Sequence, residues 1–286
     1  MDRQQIADLA AFLEEDFGRG DVTSEALVGE ASEALGTIRA GEPGTLAGLE
    51  EATVLAAGAG LEIATRAIDG DELLPGRVVV EIAGAARAIL GVERTMLNLM
   101  SHMSGVATAT RRAVTTVTEA HTGLHADRPP RIAATRKTLP GLRTLQKKAV
   151  VLGGGLPHRF DLSAAVLIKD NHLAIVPNIA AAVARVRDQV GSMPIEIEVE
   201  SVADALAGAA AGADCLLLDN FDPEGIVEVV AALCAAGLRD ALSLEASGGI
   251  TVDTVLEYAD TGVDLISMGS LTMSARPVDF SLHFNP

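Results

Sequence analysis

From Arg131 onward, β-like runs alternate with helix-like runs, and this alternation constrains the fold more than any other feature of the chain. Runs at 131–135, 165–169, 195–200, 215–219 and 242–246 precede helical patterns near 141–151, 179–190, 202–212, 223–237 and 252–261, and a last run at 265–268 closes the series. Strand-then-helix repetition calls for a parallel sheet with right-handed crossovers. No glycine-rich dinucleotide fingerprint follows any of these strands, which favours a β/α barrel over a doubly wound sheet. Six strands fall short of a full eight, so the expectation is an incomplete TIM-like barrel.

Residues 1–110 read as mixed α/β. A helix is predicted over 3–16, β-like runs near 36–39, 61–67 and 78–82, and helices over 49–57 and 87–102. The stretch 121–131 is polar, carries Pro129-Pro130 and has no periodicity, so it reads as a connecting loop. With 286 residues, 49% of them apolar, the chain has ample material for a packed core, and disorder is excluded. No stretch approaches the roughly 18–20 apolar residues of a membrane span. The acidic N-terminus does not resemble a secretory signal. Cys215 and Cys234 provide no disulfide framework, and a reducing cytoplasm is expected.

Lys and Arg total 22 against 39 Asp and Glu, a formal charge of −17. Such a surface repels nucleic acid and anionic membrane. The lysines are confined to Lys137, Lys147, Lys148 and Lys169, one short stretch of the chain. A chain that has nearly abandoned lysine yet keeps it in one place points to a need for it there.

The polar residues gather at the C-terminal ends of the predicted strands, the face where β/α barrels keep their chemistry. They read Thr135-Arg136-Lys137, Lys169-Asp170-Asn171, Glu198-Val199-Glu200, Asp219-Asn220, Ser247-Gly248-Gly249 and Met268-Gly269-Ser270. Alternation places Glu196, Glu198 and Glu200 on one strand face, pointing into the barrel, where they need cations. Arg136, Lys137, His158, Arg159 and Lys169, with Arg94 upstream, form a basic set suited to a polyanionic ligand. Gly153-Gly154-Gly155 and Ser247-Gly248-Gly249, the latter ahead of a helix expected from Thr251, read as phosphate cradles with Gly269-Ser270 as a partner loop. Glu198 and Asp219 are candidates for ribose hydroxyls or Mg²⁺, directly or through water. No His/Cys spacing suits zinc and no GxSxG motif occurs.

The strings Glu93-Arg-Thr-Met-Leu-Asn98, Thr135-Arg-Lys-Thr-Leu-Pro-Gly-Leu-Arg143, Gly153-Gly-Gly-Leu-Pro-His-Arg159, Val166-Leu-Ile-Lys-Asp-Asn-His172, Leu218-Asp-Asn220, Glu245-Ala-Ser-Gly-Gly249 and Ile266-Ser-Met-Gly-Ser270 resemble, in order and over nearly the whole length, the quinolinate phosphoribosyltransferase family. The resemblance implies an N-terminal α/β sandwich domain over 1–110, an incomplete β/α barrel over 111–272 and a C-terminal segment, 273–286, returning to the first domain. It implies phosphoribosyl transfer from phosphoribosyl pyrophosphate to quinolinate with decarboxylation, giving nicotinate mononucleotide, pyrophosphate and CO2, with Mg²⁺. It also implies a homodimer, or a multiple of dimers, with Arg94 donated across the interface. Lys137, Glu198 and Asp219 take catalytic roles, Lys137 as a candidate proton donor to the ring. Arg94, Thr135, Arg136, Lys137, His158, Arg159, Lys169, Glu198, Asp219, Ser247, Gly248, Gly249, Met268, Gly269 and Ser270 bind substrate. Glu198 and Asp219 hold the Mg²⁺. Alternatives on the same fold are a nicotinate phosphoribosyltransferase and a molybdenum-transport-associated paralogue. A Schiff-base aldolase using Lys137 or Lys169, and a non-catalytic sensor of phosphorylated metabolites, are further readings.

Overall fold

The computed structural model describes residues 3–176 and 178–284. The chain forms two compact units, Met1–Ala109 with Ala275–Pro286, and Thr110–Ser274.

In the first unit α1 (Arg3–Phe17) and α2 (Val22–Leu27) precede β1 (Glu33–Ala40) and β2 (Gly44–Thr45). α3 (Leu49–Gly58), β3 (Glu62–Thr65), β4 (Glu72–Leu73), β5 (Val78–Ala85) and α4 (Ala86–Ala120) follow, the last continuing past Ala109 into the second unit. Asp21 starts α2 by accepting from the Thr23 and Ser24 N–H groups at 3.1 and 3.0 Å, the usual device for satisfying a helix's first donors. Ile38, Val80, Ile82, Leu46, Leu55, Ile89 and Met100 are almost fully buried in this unit's core. Helix α4 runs 35 residues, well past the expected end near residue 102. Buried Met96, Met100, Met103 and Ala107 continue its apolar stripe, and no proline interrupts it.

In the second unit β6 (Arg131–Ala133) leads through α5 (Arg143–Leu152) to β7 (Val166–Ile168), then α6 (Asp170–Ile175) and α7 (Ile179–Val190). β8 (Ile195–Val199), α8 (Val202–Ala210), β9 (Cys215–Asp219), α9 (Pro223–Ala235), β10 (Ser243–Ser247), β11 (Leu265–Ser267) and α10 (Ser270–Met273) complete it. The helices start where their chemistry dictates: Asn178, Ser201 and Asp222 cap α7, α8 and α9, and Pro223 occupies the first turn of α9.

The six strands pair in parallel in the order β6-β11-β10-β9-β8-β7. The last strand pairs with the first, as in a barrel, and the one missing pairing is between β6 and β7: the incomplete barrel expected. Leu156 sits against that open edge. Its N–H donates to Ile132 O at 2.8 Å, and its carbonyl accepts from Ala134 N–H at 2.9 Å. This short bridge carries Pro157-His158-Arg159 to the rim.

Along the strands, alternation sets two faces. Ile195, Ile197, Leu216, Leu218, Leu244 and Ile266 are fully buried and alternate with Glu196, Glu198, Leu217, Glu245 and Ser267. Two expectations fail here. Glu200 lies beyond β8 and is exposed, so only two of the three glutamates are inside. No α-helix follows Ser247-Gly248-Gly249; residues 251–258 make turns and a single 3-10 turn, Val255–Tyr258. Thr251 N–H donates to Thr254 Oγ1 at 3.0 Å, a local side-chain bond that competes with helix formation.

The final strand, β12 (Phe280–Phe284), pairs antiparallel with β1 and completes the first unit's sheet, in the order β12-β1-β5-β3.

Candidate active site

A cavity of about 310 Å³ opens at the C-terminal ends of the barrel strands. Every strand contributes to it: Thr135, Arg136 and Lys137 after β6, Leu167 and Lys169 at β7, Glu198 from β8, Leu217 and Asp219 from β9, Glu245 and Ser247 from β10, and Ser267 from β11. His158 and Arg159 close it from the segment at the open edge. Five cationic or cation-forming side chains therefore face three carboxylates, in a chain whose overall balance is strongly acidic.

Lys169 Nζ lies 2.6 Å from Glu198 Oε2, so the buried carboxylate has a counter-charge. Beside it, burial and the Glu198 charge both raise the pKa of Asp219, and Asn220 Nδ2 donates to Asp219 Oδ2 at 2.7 Å. Arg136 Nε is buried and has no hydrogen-bond partner, an uncommon state for a guanidinium donor. Arg159 Nη1 is tied to Ala165 O at 3.3 Å. Ser267 Oγ donates to Ser247 Oγ at 3.0 Å.

Below the rim sits a cluster that the sequence reading did not assign. His158 Nε2 lies 3.0 Å from Glu245 Oε2, and Glu196 completes a triad whose ring nitrogen and carboxylate oxygens all fall within 4.8 Å of one another. Burial, then the neighbouring Glu245, pushes the Glu196 carboxyl up to about 7. The same surroundings push the Cys215 thiol up, which makes it a poor nucleophile. Lys147, 1% exposed, points its ammonium at Pro157 O and over the Phe160 ring, 5.6 Å from its centroid. Burial, then Arg143, Arg136 and Arg159, lowers its pKa to about 8. It buttresses the loop that carries His158. Its membership of the chain's one lysine-bearing stretch is the sequence signal for it.

Gly248, Gly249, Met268, Gly269 and Ser270 follow the strand ends but do not line the cavity. Met268 is buried, its N–H donating to Ala133 O at 2.9 Å, and Ser270 Oγ donates to Ile250 O at 2.9 Å. A Cβ on Gly155 would stand 2.8 Å from Thr110 Cγ2 and 2.9 Å from Val150 Cγ1, so this glycine serves packing. Gly248 has φ +98°, and a Cβ there would come within 2.6 Å of Asn220 N. Gly248→Ala is therefore expected to lower stability by about 1–3 kcal/mol, seen as a drop in Tm; an unchanged Tm would show that the Asn220 turn yields freely. Arg94 is exposed on α4 in the first unit and is not among the cavity-lining residues.

Comparison with known proteins converges on one family. Residues 21–104 match the N-terminal domain of quinolinate phosphoribosyl transferase and residues 106–283 its C-terminal domain. A Methanothermobacter thermautotrophicus protein named "Probable nicotinate-nucleotide pyrophosphorylase (carboxylating)" is 48% identical over 268 residues, 93% of this chain and 94% of that protein. The nicotinate-nucleotide pyrophosphorylase (carboxylating) of Mycobacterium leprae is 39% identical over 276 residues, 94% of this chain and 93% of that protein. A crystal structure of a NadC deletion mutant superposes with TM-score 0.91 at 35% identity, covering 100% of this chain and 98% of that one.

Proposed function

The chain belongs to the quinolinate phosphoribosyl transferase family, and on that premise we propose that it transfers the phosphoribosyl group of phosphoribosyl pyrophosphate to quinolinate with loss of CO2. Nicotinate mononucleotide and pyrophosphate are the other products. The observation that carries this reading is the cationic rim of the cavity: Arg136, Lys137, His158, Arg159 and Lys169 facing Glu198 and Asp219. Quinolinate is a dianion and its co-substrate a polyanion, so both demand cations, while the transferring ribose becomes positive and demands carboxylates.

Arg136, with a donor free of protein acceptors, and Arg159 bind the ring carboxylates, with His158 as a further donor. Lys137 and Lys169 bridge the two substrates. Glu198 and Asp219 hold the ribose hydroxyls and stabilise positive charge at the anomeric carbon as its bond to pyrophosphate breaks and the bond to the ring nitrogen forms. The carboxylate next to that nitrogen then leaves as CO2, its bonding electrons passing to the adjacent ring carbon, which takes a proton; Lys137 is the proposed donor. Thr135 and Ser247 line the cavity on the side assigned to the phosphate end, and the backbone N–H groups of Gly248, Gly249, Gly269 and Ser270 beside it are the proposed partners of the phosphate oxygens.

Glu198 and Asp219 suit Mg²⁺ of a particular kind. They are a pair of carboxylates and not a cage, and Mg²⁺ commonly takes one or two carboxylates together with water and substrate phosphates. When bound it would neutralise the departing pyrophosphate.

No described helix is long and apolar enough to cross a membrane, and we place the enzyme in the cytoplasm. CO2 release from carboxyl-labelled quinolinate tests the reaction. Release is expected only with phosphoribosyl pyrophosphate present; turnover of nicotinate in place of quinolinate would overturn it.

Exposed Arg94 enters this reading as a residue donated to the site of a second copy in a homodimer. Arg94→Ala and Lys169→Ala variants, each inactive, are expected to recover activity on mixing. Half of randomly re-paired dimers are hybrids with one intact site, so about a quarter of wild-type activity is the ceiling. Demonstrated subunit exchange without recovery would refute the shared site.

A further inference from the structure

Glu245 is 1% exposed and lies mid-strand on β10, facing inward below Ser247. Its Oε2 lies 3.0 Å from His158 Nε2, and the Glu196 carboxyl is its other close neighbour. His158 is itself held in an unusual way. Its backbone has φ 51°, sparsely populated for a side chain of this size, and the flanking loop is anchored at Leu156 to β6 and at Pro157 to Lys147. A ring so constrained, with one nitrogen at Glu245, has its other nitrogen, Nδ1, left to meet a ligand in the cavity that His158 lines.

We infer that Glu245 is a positioning residue: its carboxylate fixes the orientation of His158 and keeps the ring cationic, so that Nδ1–H donates to a carboxylate of the bound pyridine. This rests on the reaction proposed above. The electrostatics require such a partner. The groups facing the ring are Glu245 from β10, Glu196 from β8 and Lys147 from α5, with Arg136, Arg143 and Arg159 around Lys147. Burial and Lys147 oppose a positive ring, and the Glu245 contact outweighs them, raising the His158 pKa above its ordinary value. A protonated ring keeps its charge below its pKa, so Glu245 extends carboxylate binding to higher pH.

The test is KM for quinolinate across about pH 6–9 in wild type, Glu245→Gln, Glu245→Asp, His158→Asn and the Glu245→Gln/His158→Asn pair. Wild-type turnover, measured first, separates this test from the reaction itself. For Glu245→Gln, KM is expected near the wild-type value at about pH 6 and about tenfold higher by about pH 8. KM for phosphoribosyl pyrophosphate and Tm should change little. Glu245→Asp, which keeps the charge, is expected to keep the wild-type pH profile, and His158→Asn a high KM without that pH dependence. Adding Glu245→Gln to His158→Asn should then have no further effect. Glu196 is a second counter-charge to the ring, so Glu196→Gln/Glu245→Gln is expected to move the rise in KM to lower pH than Glu245→Gln alone. A loss equal at every pH, a fall in kcat with KM unchanged, or the same Glu245→Gln effect without His158 would overturn the assignment.

Discussion

Arg136→Ala is expected to lower kcat/KM for quinolinate by about 10²–10⁴-fold while leaving Tm nearly unchanged. A guanidinium fork gives a carboxylate two charge-assisted contacts of about 1.5–3 kcal/mol each, and each 1.4 kcal/mol is about tenfold. Arg136 Nε bonds no acceptor among the described residues, so removing it strands no partner of that donor. Its removal also relieves repulsion on Lys147. Arg136→Lys should recover little, since an ammonium cannot reproduce the fork. Steady-state kinetics with a thermal melt decide the matter: full activity removes Arg136 from the site, and a large fall in Tm makes its role structural.

Lys169→Ala is expected to cost about 10²–10³-fold in kcat/KM for both substrates, and unlike Arg136→Ala to cost stability as well. Glu198, 8% exposed, loses the ammonium at 2.6 Å and is left buried beside Asp219. Breaking a fully buried pair costs about 3–5 kcal/mol. The Lys169 side chain is 44% exposed, so water offsets part of that and about 1–2 kcal/mol is expected. The loss should shrink as pH falls and Asp219, already raised by burial and no longer held down by Lys169, takes up a proton. A variant as stable as wild type at neutral pH would show that Glu198 finds another partner, and unimpaired turnover would refute the substrate role of Lys169.

The barrel was legible because its signals are local. Branched apolar runs bounded by polar strand ends mark β7, β8, β9 and β11 to within a residue or two, and α7 occupies 179–190 as its apolar spacing and Asn178 cap imply. Where two physical causes leave the same mark, the sequence is mute. A glycine that lets a phosphate approach and one that lets a neighbouring residue approach look alike in sequence; a Cβ on Gly155 would meet the Thr110 and Val150 side chains, and one on Gly248 would meet Asn220. Thr251–Thr254 carries a helix-like stripe, yet its hydroxyls bond locally and no α-helix forms. Glu245 sits alone between Leu244 and Ala246, whereas Glu196 and Glu198 announce themselves as a pair. Its partner, His158, comes from a segment with no regular structure. That pairing depends on the missing β6–β7 contact, which no local pattern encodes.

The inward strand positions of this barrel carry mostly carboxylates and hydroxyls, with Leu167 and Leu217 among them, while Ile195, Ile197, Leu216, Leu218, Leu244 and Ile266 lie on the outward side. Cohesion and chemistry are thus written on opposite faces of the same short strands, one residue apart. In a mutagenesis library, variants that accumulate normally but do not turn over should fall on the odd residues of 215–219, and variants that never accumulate on the even ones. Evolution of such a scaffold toward other anionic heterocycles can proceed residue by residue in the lumen without renegotiating what holds it up.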